Sequence, residues 1–447
     1  MELAIRAFER ARALVASGQS ATMAEGDLEA VTDLPRYQDL AQNSERSAEL
    51  LKKTVVLKLN GGLGTGMGLE KAKSLLEVQP GVTFLDLMVN QVSHLRAETG
   101  SDVGFLLMNS QATADDTAAF LKEKAGALGT PNELTFVQNW VPKLDQESLE
   151  PVNWEADSSL EWCPPGHGDL YAALAGSGVL DRLLGEGIQY AFVSNSDNLG
   201  ATLDLVLLDW FAKSGAPFAM EVTRRTESDK KGGHLAKRLS DGQLVLREVA
   251  QCADEDLDEF QNIAKHQFFN TNNIWIDLKA VKQVMDANDG VLPLPVIVNK
   301  KTVDPRDKSS TPVLQLEQAM GAAVECFAGA QAIEVPRFRF SPVKTTSDLL
   351  ALRSDAYEVT KSGQVQLVPE RQGVPPTVVL SSDYKFVDQM VELGVPSLVS
   401  AEKFSVQGQF SLAEGVVIQG KVSLVNKGPE RFSVEAGILK DETVEVS

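Results

Sequence analysis

Thr54-Val55-Val56-Leu57-Lys58-Leu59-Asn60-Gly61-Gly62-Leu63-Gly64-Thr65-Gly66-Met67-Gly68 runs from a short apolar stretch directly into a glycine-rich loop. The apolar part, Thr54 to Leu59, reads as a buried strand that Gly61 and Gly62 bring to an end. Glycine has no Cβ, so backbone N–H groups in such a loop can close around an anion, and nests of this kind bind phosphate. The loop is not a Walker A motif, because no Gly-Lys-Ser/Thr follows at the required distance. It is not the Rossmann fingerprint either, because the third glycine position holds Met67. By itself a glycine loop is also compatible with a tight structural turn. Lys71 and Lys73, just beyond it, offer amines that can reach a held phosphate as mobile point charges, although a lysine pair is ordinarily solvated surface.

Working outward, strand-like and helix-like stretches alternate. Asp86 to Arg96 is helical in pattern, Gly104 to Met108 is a strand, Ala118 to Leu128 is helical, and Leu134 to Val137 returns to strand. Leu170 to Leu184 is helical and Tyr190 to Ser194 is again a strand. That alternation predicts an α/β fold with a mixed, mainly parallel sheet and crossover helices on both faces. The first fifty residues place Ala4, Phe8, Ala11 and Val15 at helical spacing and read as a helical packing arm, residues 1–50. The last fifty change grammar. Phe404-Ser405-Val406, Phe410-Ser411-Leu412, Val416-Val417-Ile418 and Val422-Ser423-Leu424 recur about every six residues, with Gly408, Gly415, Gly420 and Gly428 between them. This spacing suggests stacked strands, either coils of a parallel β-helix or a small antiparallel sheet. The expected division is 1–50 arm, 51–395 catalytic domain and 396–447 C-terminal β-rich, left-handed β-helix-like domain, with the boundary near Pro396.

Composition excludes several classes. The 447 residues exceed one compact core, and roughly 150 residues per domain suggests two or three. Lys+Arg total 42 against Asp+Glu 62, a net charge of −20, so neither a nucleic acid nor an anionic membrane surface is an expected partner. The 43% hydrophobic content is too high for an acidic disordered chain. No apolar run of about 20 residues occurs, and Met1 to Gln19 lacks the apolar core of a secretory signal. Cys163, Cys252 and Cys326 are widely spaced and form neither a disulfide framework nor a zinc cluster. His94, His167, His234 and His266 show no close metal spacing. A cytoplasmic globular protein with reduced cysteines is the expectation.

Further segments make the loop specific. Leu59 to Thr65 with Met67-Gly68 and Lys73-Ser74, Met108-Asn109-Ser110, Pro164-Pro165-Gly166-His167-Gly168-Asp169, Ser194-Asn195-Ser196-Asp197-Asn198-Leu199-Gly200-Ala201, Phe269-Asn270-Thr271-Asn272-Asn273 and Pro342-Val343-Lys344-Thr345-Thr346-Ser347-Asp348 follow one another along the chain. In that order they resemble the eukaryotic-type UTP–glucose-1-phosphate uridylyltransferases, also called UDP-glucose pyrophosphorylases, over roughly residues 50 to 355. Two departures stand at the loop: Lys71-Ala72 where that family usually has Gly-Pro, and Glu70 where a basic residue is frequent.

The resemblance implies a Rossmann-like nucleotidyltransferase in which the phosphate of glucose 1-phosphate attacks the α-phosphorus of UTP, releasing pyrophosphate and forming UDP-glucose reversibly. Such chemistry needs in-line positioning and charge stabilisation rather than a covalent nucleophile. By resemblance, Lys73, Lys344 and Asp197 are catalytic, with Asp197 holding Mg2+. Leu59, Asn60, Gly61, Gly62, Met108, Gln138 and Gly166 contact the nucleotide, Gln138 reading the uracil edge with its amide. His167, Asn195, Gly233, Glu248, Asn270 and Asn272 contact the sugar phosphate. Asn139 is an amide competitor to Gln138. Two other readings remain at this stage: another hexose 1-phosphate as substrate, and a non-catalytic sugar-nucleotide binder. Assembly into a homo-oligomer is left open.

Overall fold

In the computed structural model of the chain, residues 2–18, 22–40 and 48–447 are described. Ten strands form the central sheet: β1 Leu28–Ala30, β2 Thr54–Asn60, β3 Gly104–Asn109, β4 Thr135–Val137, β5 Tyr190–Asn195, β6 Phe218–Arg224, β7 His234–Arg238, β8 Leu244–Arg247, β9 Phe268–Asp277 and β10 Gln331–Glu334. Their order is β1-β7-β9-β5-β2-β3-β4, with β6 pairing β9 and β10, and β8 pairing β7. The sheet is mixed. β5, β2, β3 and β4 run parallel, whereas β9 lies antiparallel to β5, β6 and β7.

The pleat explains why the strand beginning at Thr54 reads as a continuous apolar run. Successive side chains point to opposite faces, and both faces are covered. Val55, Leu57, Leu106, Ala191 and Val193 enter one core, while Val56, Phe105, Leu107 and Phe192 enter the other. The helix Phe84–Thr99 starts at a Thr83–Asp86 capping box and buries Phe84, Leu85, Leu87 and Met88 against the second of these cores. The opposite face is closed by Leu170–Gly176 and Val179–Gly185. The expected single helix from Leu170 to Leu184 is interrupted at Gly178, whose φ of 78° ends one segment and opens the next.

The longest helix of the N-terminal arm is Glu2–Ala16, where Phe8 and Ala11 pack with Val141, Leu144 and Leu316. Residues 1, 19–21 and 41–47 of the expected arm lie outside the described residues. Instead of continuing as helix, Leu28–Ala30 adds β1 to the sheet, antiparallel to β7, with Leu28 packed on Ala236 and Val245. A uniformly helical 1–50 arm is therefore corrected: a short segment gains more by completing an unpaired strand edge than by forming an isolated helix.

The tail differs from expectation in extent. Thr377–Leu380, Ser397–Gln407, Val416–Asn426 and the pair Gly437–Lys440 and Thr443–Val446 form one sheet with every pairing parallel. Phe410–Leu412 and Phe432–Val434 are also parallel. This rules out the small antiparallel alternative. It also moves the boundary, because Thr377–Leu380 belongs to the tail's sheet although it precedes Pro396. Parallel neighbours need a long crossover, here carrying the helix Val387–Leu393. Nor does the tail have a core of its own: Phe404, Val406, Ile418 and Leu424 join the cluster that contains Val56 and Phe192.

The stacking is tight enough to test. Gly408 has φ +76°, and a Cβ there would collide with the Asn426 carbonyl of the next rung. Gly408→Ala is expected to cost about 1–3 kcal/mol, read as a lowered urea midpoint. An unchanged midpoint would show that the rungs can separate freely.

Candidate active site

The glycine loop leaves the carboxyl end of β2, where ligands bind in open α/β sheets. Gly64 and Gly68 have φ of 70° and 76°, values that favour glycine. The Lys73 backbone N–H donates to the Gly62 carbonyl at 2.9 Å, so this lysine is tied into the loop. Its Nζ donates to Asp197 Oδ2 at 2.8 Å, with both side chains partly buried. Asp197 stands on the turn after β5. The Asp197 carbonyl accepts the Val343 N–H at 3.0 Å, and a bridge between Asn198 and Pro342 extends this contact. Lys344 follows directly on this backbone contact, at the entrance to a helix, Thr346–Arg353, that Thr345 and Asp348 cap.

From Lys344 the contacts continue around a closed circuit. Burial holds the Glu248 carboxyl above its usual range, and the nearby Lys344 charge opposes that rise. Glu248 folds over Gly233, where a Cβ would sit 2.5 Å from its Oε1. The Gly233 carbonyl accepts the Asn270 N–H at 3.3 Å. Asn270 Nδ2 lies 3.0 Å from where a Gly321 Cβ would be. The neighbouring Met320 N–H donates to His167 Nδ1 at 3.0 Å. Beside His167, the Gly166 carbonyl accepts Gln138 Nε2 at 2.9 Å. Gln138 Oε1 in turn reaches Gly61, 3.2 Å from its would-be Cβ, and the circuit returns to the loop. Residues spread from 61 to 344 are thus joined in one chain of contacts. A cavity of about 1080 Å³ is lined by Gly232, Phe269, Val343, Lys344, Tyr357 and Pro375.

Several local geometries refine the expected roles. Asn139 donates its backbone N–H and its side-chain amide to Asp169, whereas Gln138 faces the loop. Burial pushes the Asp169 carboxyl up to about 6, against those hydrogen bonds from Asn139. Gly166 has φ +80° and must be glycine because a Cβ would lie 2.5 Å from the Gln318 carbonyl. The close approach in this motif is therefore to the protein's own backbone. His167 Nδ1 accepts a backbone N–H, so a neutral ring carries its proton on Nε2, and burial pushes its pKa down to about 4. The ring is a neutral N–H donor, not a base, at ordinary pH.

Asn270 and Asn272 meet at a β-bulge. Register shifts opposite Glu221 and Val222, Asn272 takes φ 57°, and the two side chains bond each other at 2.9 Å. Bulges of this kind re-aim side chains beside active sites. Asn195 ends β5 two residues before Asp197. Three of the expected nucleotide-binding residues have buried side chains. The Asn60 side chain bonds Asn109 and Thr117, joining β2 to the next strand and helix. Leu59 and Met108 are core residues. Both faces of the sheet are covered here, so consecutive side chains are buried whichever way the pleat turns them. At the departure before Lys73, the Ala72 N–H donates to Asp116 at 3.2 Å, a bond that proline could not make, while Lys71 is exposed.

Underneath lies a network that motif reading does not reveal. Arg339 grips the Glu221 carboxylate with two parallel bonds of 2.7 and 2.8 Å. Trp275 and Asn273 also donate to it. The Arg339 carbonyl accepts the side-chain amides of Asn198 and Asn273, and Asn198 Oδ1 accepts the Ser341 N–H. Lys58 Nζ donates to Ser194 Oγ and the Ala201 carbonyl, and burial, aided by Arg339, pushes its pKa down to about 7. The available signal was a charge inside an apolar strand: Lys58 in β2 and Glu221 in β6.

The comparisons decide the family. The profile described as UTP–glucose-1-phosphate uridylyltransferase matches residues 6–419. The chain belongs to the UTP–glucose-1-phosphate uridylyltransferase family. Within it, the Saccharomyces cerevisiae UTP–glucose-1-phosphate uridylyltransferase is 42% identical over 418 residues, covering 92% of this chain and 81% of the relative. The potato (Solanum tuberosum) uridylyltransferase is 41% identical over 410 residues, covering 90% and 84%. Among solved structures, a point mutant of UDP-glucose pyrophosphorylase from Leishmania major in complex with UDP-glucose superposes with a TM-score of 0.92 at 45% identity, covering 99% of this chain and 96% of that one. A Trypanosoma brucei UDP-glucose phosphorylase gives 0.90 at 48%, covering 100% and 97%. Among the described residues no helix is long and apolar enough to cross a membrane, and the three cysteines are free.

Two outcomes check this uridylyltransferase-family site. Arg339→Met leaves Glu221 buried without its counter-charge and is expected to destabilise by about 3–5 kcal/mol, measured by urea unfolding; a loss under about 1 kcal/mol would mean that the pair carries little. In 15N NMR, the His167 ring is expected to show the Nε2–H tautomer and a midpoint near pH 4; titration above pH 6 would contradict the donor role.

Proposed function

We propose that this chain transfers a uridylyl group reversibly from UTP to glucose 1-phosphate, forming UDP-glucose and pyrophosphate. The observation that carries this reading is the closed circuit of contacts, which links a base-reading amide, a phosphate-cradling loop and two lysines in one chain of neighbours. Gln138, held on the Gly166 carbonyl, orients the uracil edge. Backbone N–H groups at Gly61 and Gly62 take the phosphates, with Asn60 fixing the loop's origin and Leu59 and Met108 backing it. Asn270, Asn272 and Glu248 take glucose hydroxyls beside Gly233. Asn195 and the His167 Nε2–H bond the sugar phosphate, whose oxygen is already ionised and attacks the α-phosphorus without a general base. Lys73 and Lys344 neutralise charge that grows on the phosphoryl oxygens, where fixed cations in a water-poor site are most effective.

A divalent cation fits the donor set. Asp197 already accepts one cation, the Lys73 ammonium at 2.8 Å. Among the described residues no group of three or more His, Cys, Asp or Glu could hold a metal, so a metal would take most of its shell from phosphate and water, which is characteristic of Mg2+. Asp197 would hold it, and bound Mg2+ would supply further charge neutralisation at the phosphates. A cytoplasmic location accords with the free thiols. We also read the parallel rungs of the tail as a left-handed β-helix-like element following an N-terminal arm and a catalytic body.

The decisive assay is pyrophosphate release from a panel of nucleoside triphosphates and sugar 1-phosphates. UTP with glucose 1-phosphate is expected to be the preferred pair; release without any sugar phosphate, or none with any, would overturn the reading. Lys73→Ala and Lys344→Ala are each expected to lower kcat about 10²–10³-fold while thermal unfolding stays near wild type. Undiminished turnover in a folded variant would remove that residue from the mechanism.

A further inference from the structure

Lys73 belongs to two sites. Its backbone N–H is bonded to Gly62 at 2.9 Å, and its stem lies 3.2 Å from a would-be Gly64 Cβ, so it is built into the phosphate loop. Its ammonium is nonetheless spent on Asp197, 2.8 Å away. The Asp197 backbone is held independently of that bond. The Asp197 carbonyl is held by the Val343 N–H at 3.0 Å, and Asn198, the next residue, is fixed to Asn273, Arg339 and Ser341. Only the ammonium is mobile, because a lysine head on a flexible stem turns without moving backbone.

We propose that the Lys73–Asp197 pair is an electrostatic latch that withholds Asp197 from divalent cations until a nucleotide triphosphate enters the loop. A divalent cation approaching Asp197 alone meets a carboxylate already neutralised, and a unit positive charge beside its own path. A triphosphate in the Gly61-Gly62 cradle presents several negative oxygens to the same ammonium. Lys73 transfers to them, and the uncovered carboxylate then faces a cation that the phosphates also attract. Cation and nucleotide affinities are thereby coupled, and the coupling is reciprocal. This inference rests on Asp197 being the metal-holding residue, and the test separates the two claims.

The experiment measures Mn2+ alone, in the absence of nucleotide, by the loss of its free EPR signal on binding to the full-length protein. Lys73→Met retains the stem packed at Gly64 and deletes only the charge. It is expected to bind Mn2+ at least about fivefold more tightly than wild type, the effect of one unit charge at ~4 Å even in bulk water. Asp197→Asn in the Lys73→Met background is expected to abolish that gain, and exposed Lys71→Met to produce none. Equal affinity in wild type and Lys73→Met, or no detectable binding in either, overturns the latch. A gain that survives Asp197→Asn also overturns it, because the cation then sits elsewhere. If Asp197→Asn alone weakens Mn2+ binding but Lys73→Met does not strengthen it, the metal reading stands and the latch falls; if Asp197→Asn binds Mn2+ like wild type, both fall.

Discussion

Two full charges, Glu221 and Arg339, are sealed between strands and the segment that leads to Lys344, with side chains 0% and 2% exposed. Removing such ions from water costs several kcal/mol each unless every donor and acceptor is met. Here the guanidinium makes a bidentate pair, and Trp275 and Asn273 complete the carboxylate's shell. The geometry of the pair dictates what surrounds it. Because Arg339 must face β6, its carbonyl is presented to Asn198 and Asn273, which fixes the turn carrying Asp197. Gly200 is glycine because the Phe338 carbonyl passes where its Cβ would be. The two halves of the active site, the parallel half that bears the glycine loop and the antiparallel half that bears the asparagine bulge, are riveted at this point.

A layer of neutral and charged polar groups above the rivet shows how an acidic protein handles phosphate. Net charge acts at long range and sets solubility, and at −20 it would repel a triphosphate. At the site, Lys73 and Lys344 stand among backbone donors, and His167 contributes a neutral N–H because burial holds its pKa near 4. In the proposed function, a few fixed groups attract phosphate at short range, where one charge outweighs many distant ones. Glu248 and Asp169, both raised by burial, lie beside Lys344 and Asn139 respectively.

Much of the architecture was legible along the chain. Short continuous apolar runs between helical stretches identified the parallel strands, and the glycine loop follows the first of them at the end of the sheet where ligands bind in open α/β folds. The ordered motifs named residues that the fold does bring together, among them Lys73, Gln138, His167, Asp197, Asn270 and Lys344. Reading failed where an edge or a neighbour decided the outcome. Leu28–Ala30 became a strand because β7 offered an open edge. Thr377–Leu380 joined the tail because Ser397–Gln407 lay alongside. Asn60 looked like a loop ligand, yet its amide is buried on Asn109 and Thr117.

Local periodicity, glycine's missing Cβ and motifs in fixed order were enough to read most of the strand and helix pattern, the glycine-rich loop and the family along the chain. Only the tertiary structure decided which amide faces the loop, that the Gly166 backbone approaches Gln318 rather than a ligand, that Lys73 rests on Asp197, and that Glu221 and Arg339 underlie the whole site. The physical reason is range. Propensity and pattern act over a few residues, whereas hydrogen-bond satisfaction and the desolvation of charge join residues separated by more than a hundred positions, and their partners exist only once the chain has folded.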